Sequence, residues 1–204
     1  MLLAIDSSAG TSVAVVDREG GILAERSVLD TRSHAEVIGR LIQEALAEAG
    51  VDASAMSGVA LGMGPGPFTG LRVGIAAGRV AAFGLGRPVV PVVSHDAIAY
   101  AEYLAGRSGP LTVVTDARRR EVYWSTYSGA DELGLPVRAE GPALDNPAAF
   151  EGQPNVFEAA SVSAGALGML AEFLYFHKRP FAANVPLYLR APDVTLSAPK
   201  RVTG

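Results

Sequence analysis

The order of extended and helical segments over the first 106 residues restricts the fold of this chain more than any other feature of its sequence. Three short apolar or β-branched runs, at residues 2–6, 11–17 and 21–28, are separated by turn residues and predict an antiparallel meander. Two strand–helix units follow, with strands predicted at 58–62 and 89–93. A doubly wound sheet would instead need strands and helices to alternate from the start.

The first helix is predicted from its cap and its apolar spacing. Ser33 is a good N-cap, Glu36 three residues later completes a capping box, and Gly50 marks the end of the helix. Apolar residues recur between them at spacings of three and four, which predicts one buried face. The first members of this apolar series are Ile38, Leu41 and Ile42.

The second helix carries a stripe of small residues. It follows a Gly-Pro-Gly-Pro loop at residues 64–67, is predicted to be capped by Thr69, and runs to about residue 85. Gly70, Gly74 and Gly78 fall on one face at a spacing of four. A glycine inside a helix costs about 0.5–1 kcal/mol relative to alanine. The stripe therefore indicates close approach to another surface, either the chain's own sheet or a helix of a partner.

A strand–aspartate–turn–strand pattern occurs twice. The first strand ends in Asp6 before a turn and a second strand, and a strand at 111–115 ends in Asp116 before a turn and a strand at 121–127. The repeated pattern and the meander predict an α/β protein with the actin-like ATPase, or ribonuclease-H-like, fold in two duplicated lobes. The boundaries are predicted at 1–106 for the first lobe, 107–189 for a shortened second lobe and 190–204 for an extended tail.

In the second lobe, residues 130–160 are expected to be rich in loops, and one helix is predicted near residues 163–177.

Composition excludes several kinds of chemistry. The 204 residues include no cysteine, so disulfides, thiolate catalysis and cysteine-ligated zinc are ruled out. The net charge of −4 argues against a chain that holds a nucleic-acid backbone alone. The first residues lack a basic segment and a long apolar run, so neither a signal peptide nor a membrane span is predicted and a cytoplasmic location is expected.

The histidines show no hydrolytic or metal-binding pattern. His34, His95 and His177 share no helix turn, and neither HExxH nor G-x-S-x-G occurs. His34 is interpreted as a surface or interface residue at the start of the first helix. His177 is interpreted as a charge that suits the end of a helix. A metallopeptidase is therefore a disfavoured alternative.

The residues after the first strand are the candidates for facing a nucleotide. Asp6 can hold hydrated Mg²⁺, and Ser7, Ser8 and Thr11 can bind phosphate from the following turn, with Asp116 in the corresponding place of the second lobe. The other interpretation is that Asp6 and Ser7 end a strand and cap a turn. An actin-like ATPase or small-molecule kinase is the alternative function that follows from the first interpretation. The turn after Asp116 contains no glycine for close backbone approach.

Several longer motifs resemble one family. LLAIDSSAGTSVAVVD, SHAEVI, GMGPGPFTGLRVGIAAGRVAAFGLGRPVVPVVS, TDARRREVYW and PLYLRAPDVT occur in this order from residue 1 to about residue 195. Together they resemble the TsaB family. These proteins are the YeaZ-like relatives of TsaD and have also been described as glycoprotease-like. The resemblance implies a bacterial scaffold that pairs with TsaD, with TsaE joining the pair. The complex transfers threonylcarbamoyl, from an adenylate made by TsaC, to the adenosine next to the anticodon of tRNA.

The resemblance also implies how this chain differs from the catalytic subunit. TsaD-type sequences carry a His-x-x-x-His metal pair after the strand that follows the glycine helix, whereas this chain has His95 and Ala99 there. One imidazole does not make a chelating pair, so a non-catalytic subunit without a bound metal is expected. No cofactor is expected to be required, although weak ATP or ADP binding at the subunit junction is compatible with the resemblance.

Pairing is expected to use the two helices of the first lobe. The same face is expected to join two copies of the isolated chain, and tRNA is expected to be contacted only through the complex. The predicted interface comprises Ser33, His34, Ile38, Leu41 and Ile42 on the first helix and Thr69, Gly70, Arg72, Val73, Gly74, Ala77 and Gly78 on the second.

Overall fold

A computed structural model describes residues 1–30 and 33–190 of the chain. The predicted extended tail lies outside the described residues, apart from Arg190. The described residues form four α-helices and nine strands, and the strands are arranged in two sheets.

The first sheet has five strands in the order β3-β2-β1-β4-β5. β1 pairs antiparallel with β2, and β2 with β3, whereas β1 and β4, and β4 and β5, run parallel. The meander followed by crossovers is therefore confirmed as the actin-like order. The strand bounds are Leu2–Asp6 (β1), Thr11–Asp17 (β2), Gly21–Val28 (β3), Gly58–Gly62 (β4) and Val89–Val92 (β5).

The second sheet repeats the first four positions of this order, as β8-β7-β6-β9. β6 is antiparallel to β7 and parallel to β9. In the same way, β1 is antiparallel to β2 and parallel to β4. The duplication read from the two aspartates is thus visible in the strand topology. The bounds are Leu111–Asp116 (β6), Val122–Ala130 (β7), Pro136–Asp145 (β8) and Val156–Glu158 (β9).

Both faces of the first sheet are covered by helices. α1 and α2 bury one face, where Leu3 and Ile5 contact their apolar side chains. α4 covers the other face, where Ala4 and Val16 lie in one core with residues of the second sheet, and α3 packs against α4 and the second sheet. The helices span His34–Ala49 (α1), Phe68–Leu85 (α2), Ser94–Leu104 (α3) and Ala164–Phe176 (α4).

The core formed by α4 crosses the predicted lobe boundary. α4 belongs to residues 107–189 in sequence, yet Gly168 in its middle packs against Val16 and Ala4 of the first sheet. The lobe boundary at residue 106 stays a prediction. The residues before it and those after it share one continuous apolar core.

Three local predictions are wrong. Ser33 precedes α1 but makes no side-chain capping bond, so the capping box does not form. α2 begins at Phe68 after Pro67 rather than at a Thr69 cap. The stretch at 130–160 contains β8 and β9 rather than loops alone, because an edge strand such as β8 tolerates proline at its start.

By length and composition alone, α2 is apolar enough to cross a membrane, with 18 residues and a mean hydropathy of 1.2. Its contacts account for this composition in another way, because Leu71 and Ile75 are buried against the first sheet. Core helices commonly share these properties, and packing on the sheet explains the apolar residues on the buried face of α2.

Candidate functional site

A buried polar network joins the end of β1 to its neighbours. Asp6 Oδ1 accepts hydrogen bonds from Ser8 N at 2.8 Å and Ser8 Oγ at 2.6 Å, and Asp6 Oδ2 accepts one from Ser94 Oγ at 2.5 Å. Ser94 Oγ in turn accepts a hydrogen bond from Gly64 N at 3.1 Å. The carboxylate therefore ties β1 to the start of α3 and to the loop before α2.

The surroundings of Asp6 are closely packed. A Cβ atom on Gly62 would lie 1.8 Å from Asp6 Oδ2, so only glycine at this point of β4 leaves room for the carboxylate. Burial raises the pKa of Asp6 against the opposing effect of its hydrogen bonds to Ser8 and Ser94. Asp6 is inaccessible and lies in a structural network, which matches the turn-capping interpretation of this residue.

Ser7 forms hydrogen bonds with two backbone groups of the helix α2. Its Oγ donates to the carbonyl of Gly70 at 2.8 Å and accepts from the N–H of Gly74 at 3.1 Å. These two backbone groups are four residues apart and would bond each other in a regular helix. The hydroxyl that bonds to both groups attaches α2 to the loop after β1.

His34 is buried, so its interpretation as a surface residue is wrong. Its Nδ1 lies 2.6 Å from Thr11 Oγ1, and a Cβ atom on Gly70 would lie 2.7 Å from its Nε2. The first residue of α1 is therefore held between β2 and the start of α2.

The glycine stripe faces the chain's own sheet. A Cβ atom on Gly74 would lie 2.1 Å from Ser7 Oγ, and one on Gly78 would lie 2.1 Å from Leu61 Cδ2. Gly70 is enclosed in the same way by His34 and the backbone of Ser7. The prediction that these three glycines contact a partner is corrected, because they allow α2 to approach β1 and β4.

The other predicted interface residues divide by exposure. Ile38 and Leu41 are buried beneath α1 and belong to the core. The remaining residues are partly or fully accessible, and their role in pairing stays a prediction: Ser33, Ile42, Thr69, Arg72, Val73 and Ala77.

Opposite the glycines, α2 presents an apolar surface of which the sequence analysis predicted only Val73. We call Val73, Ala76, Val80 and Phe83 the outer ridge, since their spacing places them on one helix face. Val80 is 71% exposed and Phe83 is 89% exposed. The signal in the sequence was the set of apolar residues on the face away from the glycine stripe.

His95 connects α3 to the second sheet. Its Nδ1 lies 2.8 Å from Ser125 Oγ and its Nε2 lies 2.9 Å from Thr115 Oγ1. Burial, together with the positive charge of Arg138, lowers the pKa of His95 to about 3. The neutral ring is fully engaged by hydroxyl groups, and Ala99 lies buried one turn later.

Asp116 lies apart from the network of Asp6. It is exposed, accepts a hydrogen bond from Arg118 N at 2.7 Å and pairs with the guanidinium of Arg118 at 3.3 Å. Arg118, Arg119 and Arg120 all have φ between 55° and 65°, a left-handed conformation that costs non-glycine residues about 1–2 kcal/mol each. The turn thus projects arginines, not glycine N–H groups, at the end of β6.

A cleft of about 410 Å³ lies between this turn and the start of α2. We call it the interlobe cleft, and its walls include Thr69, Arg118, Arg119 and Arg190. Asp6, Ser7, Ser8 and Thr11 are all buried away from solvent. The described part of the chain brings no group of three His, Asp or Glu side chains together as a potential metal site.

Comparisons with known proteins agree over most of the chain. The model of the family described as TsaD, tRNA N6-adenosine threonylcarbamoyltransferase, matches residues 5–188. An uncharacterised protein of Mycobacterium tuberculosis is 36% identical over 209 residues, covering 94% of this chain and 92% of that protein. The tRNA threonylcarbamoyladenosine biosynthesis protein TsaB of Haemophilus influenzae is 37% identical over 125 residues, covering 61% of this chain and 52% of that protein.

A solved structure agrees with these sequence relatives. YeaZ from Pseudomonas aeruginosa superposes with a TM-score of 0.76 and 28% identity, covering 92% of this chain and 99% of that chain. The chain belongs to the family that the TsaD model describes and, within it, to the TsaB, or YeaZ, proteins.

Proposed function

We propose that this chain is the non-catalytic partner subunit of the complex that forms N6-threonylcarbamoyladenosine in tRNA, and that it acts by pairing with TsaD. The pathway is supported by kinship with a TsaB protein of tRNA threonylcarbamoyladenosine biosynthesis and with the transferase family. TsaE joins the pair, and tRNA is held by the complex, in keeping with the chain's net charge of −4.

The observation that carries the pairing is the outer ridge of α2. Val80 and Phe83 lie one helical turn apart and are largely exposed to solvent, although the opposite face of α2 is buried. Adjoining exposed apolar side chains mark interaction surfaces, and buried aromatic anchors supply much of the energy of an interface. We infer that Phe83 is the anchor of the contact with TsaD.

The packing of α2 suits a docking surface. The Ser7 hydroxyl forms hydrogen bonds with two backbone groups of α2, and Gly74 and Gly78 allow the helix to pack directly on the sheet. A helix fixed in this way loses little conformational entropy when a partner binds. Pairing activates TsaD to the extent that the ridge binds the active arrangement of TsaD more tightly than other arrangements.

The contacts of Asp6 and His95 support a non-catalytic role. Both carboxylate oxygens of Asp6 accept hydrogen bonds from serines, and both ring nitrogens of His95 lie within hydrogen-bonding distance of hydroxyl groups. Side chains engaged in this way hold elements together and offer no free group to a substrate.

The test is reconstitution of tRNA threonylcarbamoylation from TsaC, TsaD, TsaE, ATP, threonine, bicarbonate and tRNA, with and without this chain. We expect sustained modification only when the chain is present. Phe83→Asp should weaken the complex with TsaD about thirtyfold or more, because a buried aromatic anchor contributes about 2 kcal/mol or more. It should also turn any homodimer of the isolated chain into monomers.

Leu104→Asp is the matched control, since Leu104 is a 65% exposed apolar residue on α3, away from the outer ridge. It should leave modification and TsaD affinity unchanged. Equal modification without the chain would refute the proposed function. Wild-type TsaD affinity in both variants would show that pairing does not use the outer ridge.

A further inference from the structure

A cavity of about 410 Å³ lies beside the turn that joins β7 to β8, and we call it the hairpin cavity. Its other walls are the end of β5, the start of α3, the second half of α4 and residues 179–182. It shares no described residue with the interlobe cleft. Its volume is typical of sites for small molecules.

Most of the side chains that line the hairpin cavity are apolar. Val92 comes from β5, and Leu170 and Leu174 come from α4. Two further members of the lining are accessible to solvent, since Val137 is 43% exposed and Phe181 is 38% exposed. Part of this apolar lining is therefore in contact with water, and a ligand with an apolar body would bury it.

One carboxylate at the start of α3 lies in this apolar lining with an incomplete set of partners. Asp96 Oδ1 accepts a hydrogen bond from Tyr127 Oη at 2.8 Å and lies 3.4 Å from Arg138 Nε. Among the described residues, both polar contacts of the carboxylate are made by Oδ1, so Oδ2 can accept from a ligand. Burial raises the pKa of Asp96 against the opposing charge of Arg138, and an added cationic donor would favour the ionised form.

Two arginines complete the polar part of the lining. Arg179 donates to Asp131 at 2.7 Å, and Asp131 also accepts from two backbone N–H groups of the hairpin turn, so this pair joins residue 179 to the turn. The 3.4 Å contact of Arg138 with Asp96 is longer than the roughly 2.7–2.9 Å of a strong charge-assisted hydrogen bond. Arg138 is therefore the guanidinium that is held less tightly by its partner.

We propose that the hairpin cavity binds a free α-amino acid with an apolar side chain. The ammonium group of the ligand contacts Asp96, its carboxylate contacts Arg138, and its side chain packs against Leu170 and Leu174. The described lining contains two acidic residues and two arginines, so its charges balance and suit a zwitterion better than a ligand with a net charge. This proposal does not depend on pairing with TsaD.

The experiment is isothermal titration calorimetry of the isolated full chain with L-leucine and, separately, with L-phenylalanine. We expect saturable binding of both. Two analogues of leucine each lack one charged group: 3-methylbutylamine has no carboxylate, and 4-methylpentanoate has no ammonium. Each should bind about tenfold more weakly than L-leucine or worse, because a charge-assisted hydrogen bond is lost.

Variants locate the binding in the hairpin cavity. Arg138→Gln should raise the Kd for L-leucine about tenfold and leave the Kd for 3-methylbutylamine unchanged, because the amine has no carboxylate for Arg138 to contact. Val137→Asp should also raise the Kd for L-leucine about tenfold, since it places a charge in the apolar lining. Leu133→Asp is the matched control: Leu133 is likewise 43% exposed and lies in the same hairpin, but outside the lining, so the Kd should not change.

The absence of saturable binding of both amino acids would overturn the proposal. So would equal affinities of the Val137→Asp and Leu133→Asp variants, which would place the binding elsewhere. Binding of either leucine analogue as tightly as L-leucine would overturn the assignment to a zwitterion. Thermal melts verify that each variant is folded.

Discussion

α2 approaches β4 so closely that one added methyl group at residue 78 should destabilise the protein. A Cβ atom on Gly78 would lie 2.1 Å from Leu61 Cδ2 and 3.1 Å from Leu61 Cδ1. Leu61 is fully buried, so its side chain has no solvent-facing position to move into. The Gly78→Ala variant must therefore shift either the leucine or the helix.

The magnitude follows from two opposing terms. Forcing an extra methyl group into a packed core costs about 1–3 kcal/mol. Replacing glycine by alanine inside a helix returns about 0.5–1 kcal/mol. We expect Gly78→Ala to lower the free energy of unfolding by about 1–2 kcal/mol.

Gly39→Ala on α1 is the control for the free energy that is gained when alanine replaces glycine inside a helix. Nothing lies within 4 Å of a Cβ atom at Gly39, so this variant should gain about 0.5–1 kcal/mol. Urea unfolding of both variants, with unchanged m-values, isolates the packing term as the difference between them. If Gly78→Ala were stabilised as much as Gly39→Ala, the glycine stripe would not be packed on β4.

Three further perturbations probe the polar contacts. His95 has a depressed pKa of about 3, so the unfolded state binds more protons below pH 6.5 and stability falls as the pH falls. Relative to His95→Gln, the wild type should lose about 2 kcal/mol between pH 7 and pH 5 in urea titrations, and parallel pH profiles would contradict a buried neutral ring. Ser7→Ala should cost about 1 kcal/mol and speed amide exchange at the start of α2, whereas unchanged exchange would argue against the hydrogen bonds of Ser7 to Gly70 and Gly74. Gly62→Ala should destabilise by about 2–3 kcal/mol in thermal or urea unfolding, because its Cβ would displace the Asp6 carboxylate, and wild-type stability would contradict that packing.

The sequence predicts the first part of the fold well because local signals agree there. Strands at 2–6, 11–17, 21–28 and 58–62 and the helix after Ser33 coincide with the observed elements. β8 and β9 were missed for physical reasons. β8 begins with proline at the edge of its sheet, and β9 has only three residues, so neither produces a readable alternation.

The candidate site was less predictable because it depends on contacts between distant residues. The position of Asp6 at a strand end is a local feature, but its burial depends on Ser94, 88 residues later. The spacing of the α2 glycines gives the periodicity of a face and not the direction in which the face points. Only the contacts of Gly74 and Gly78 with Ser7 and Leu61 show that the stripe is internal.

The position of α4 has a consequence for the order in which the protein can be completed during synthesis. α4 occupies Ala164–Phe176, near the end of the chain, yet it covers a face of the sheet formed by the first strands. Until those residues leave the ribosome, Ala4, Ala14 and Val16 have no helix above them, and an uncovered apolar face favours association with other chains. The N-terminal part therefore cannot mature as an independent unit ahead of the remainder, and a fragment that stops before α4 should aggregate.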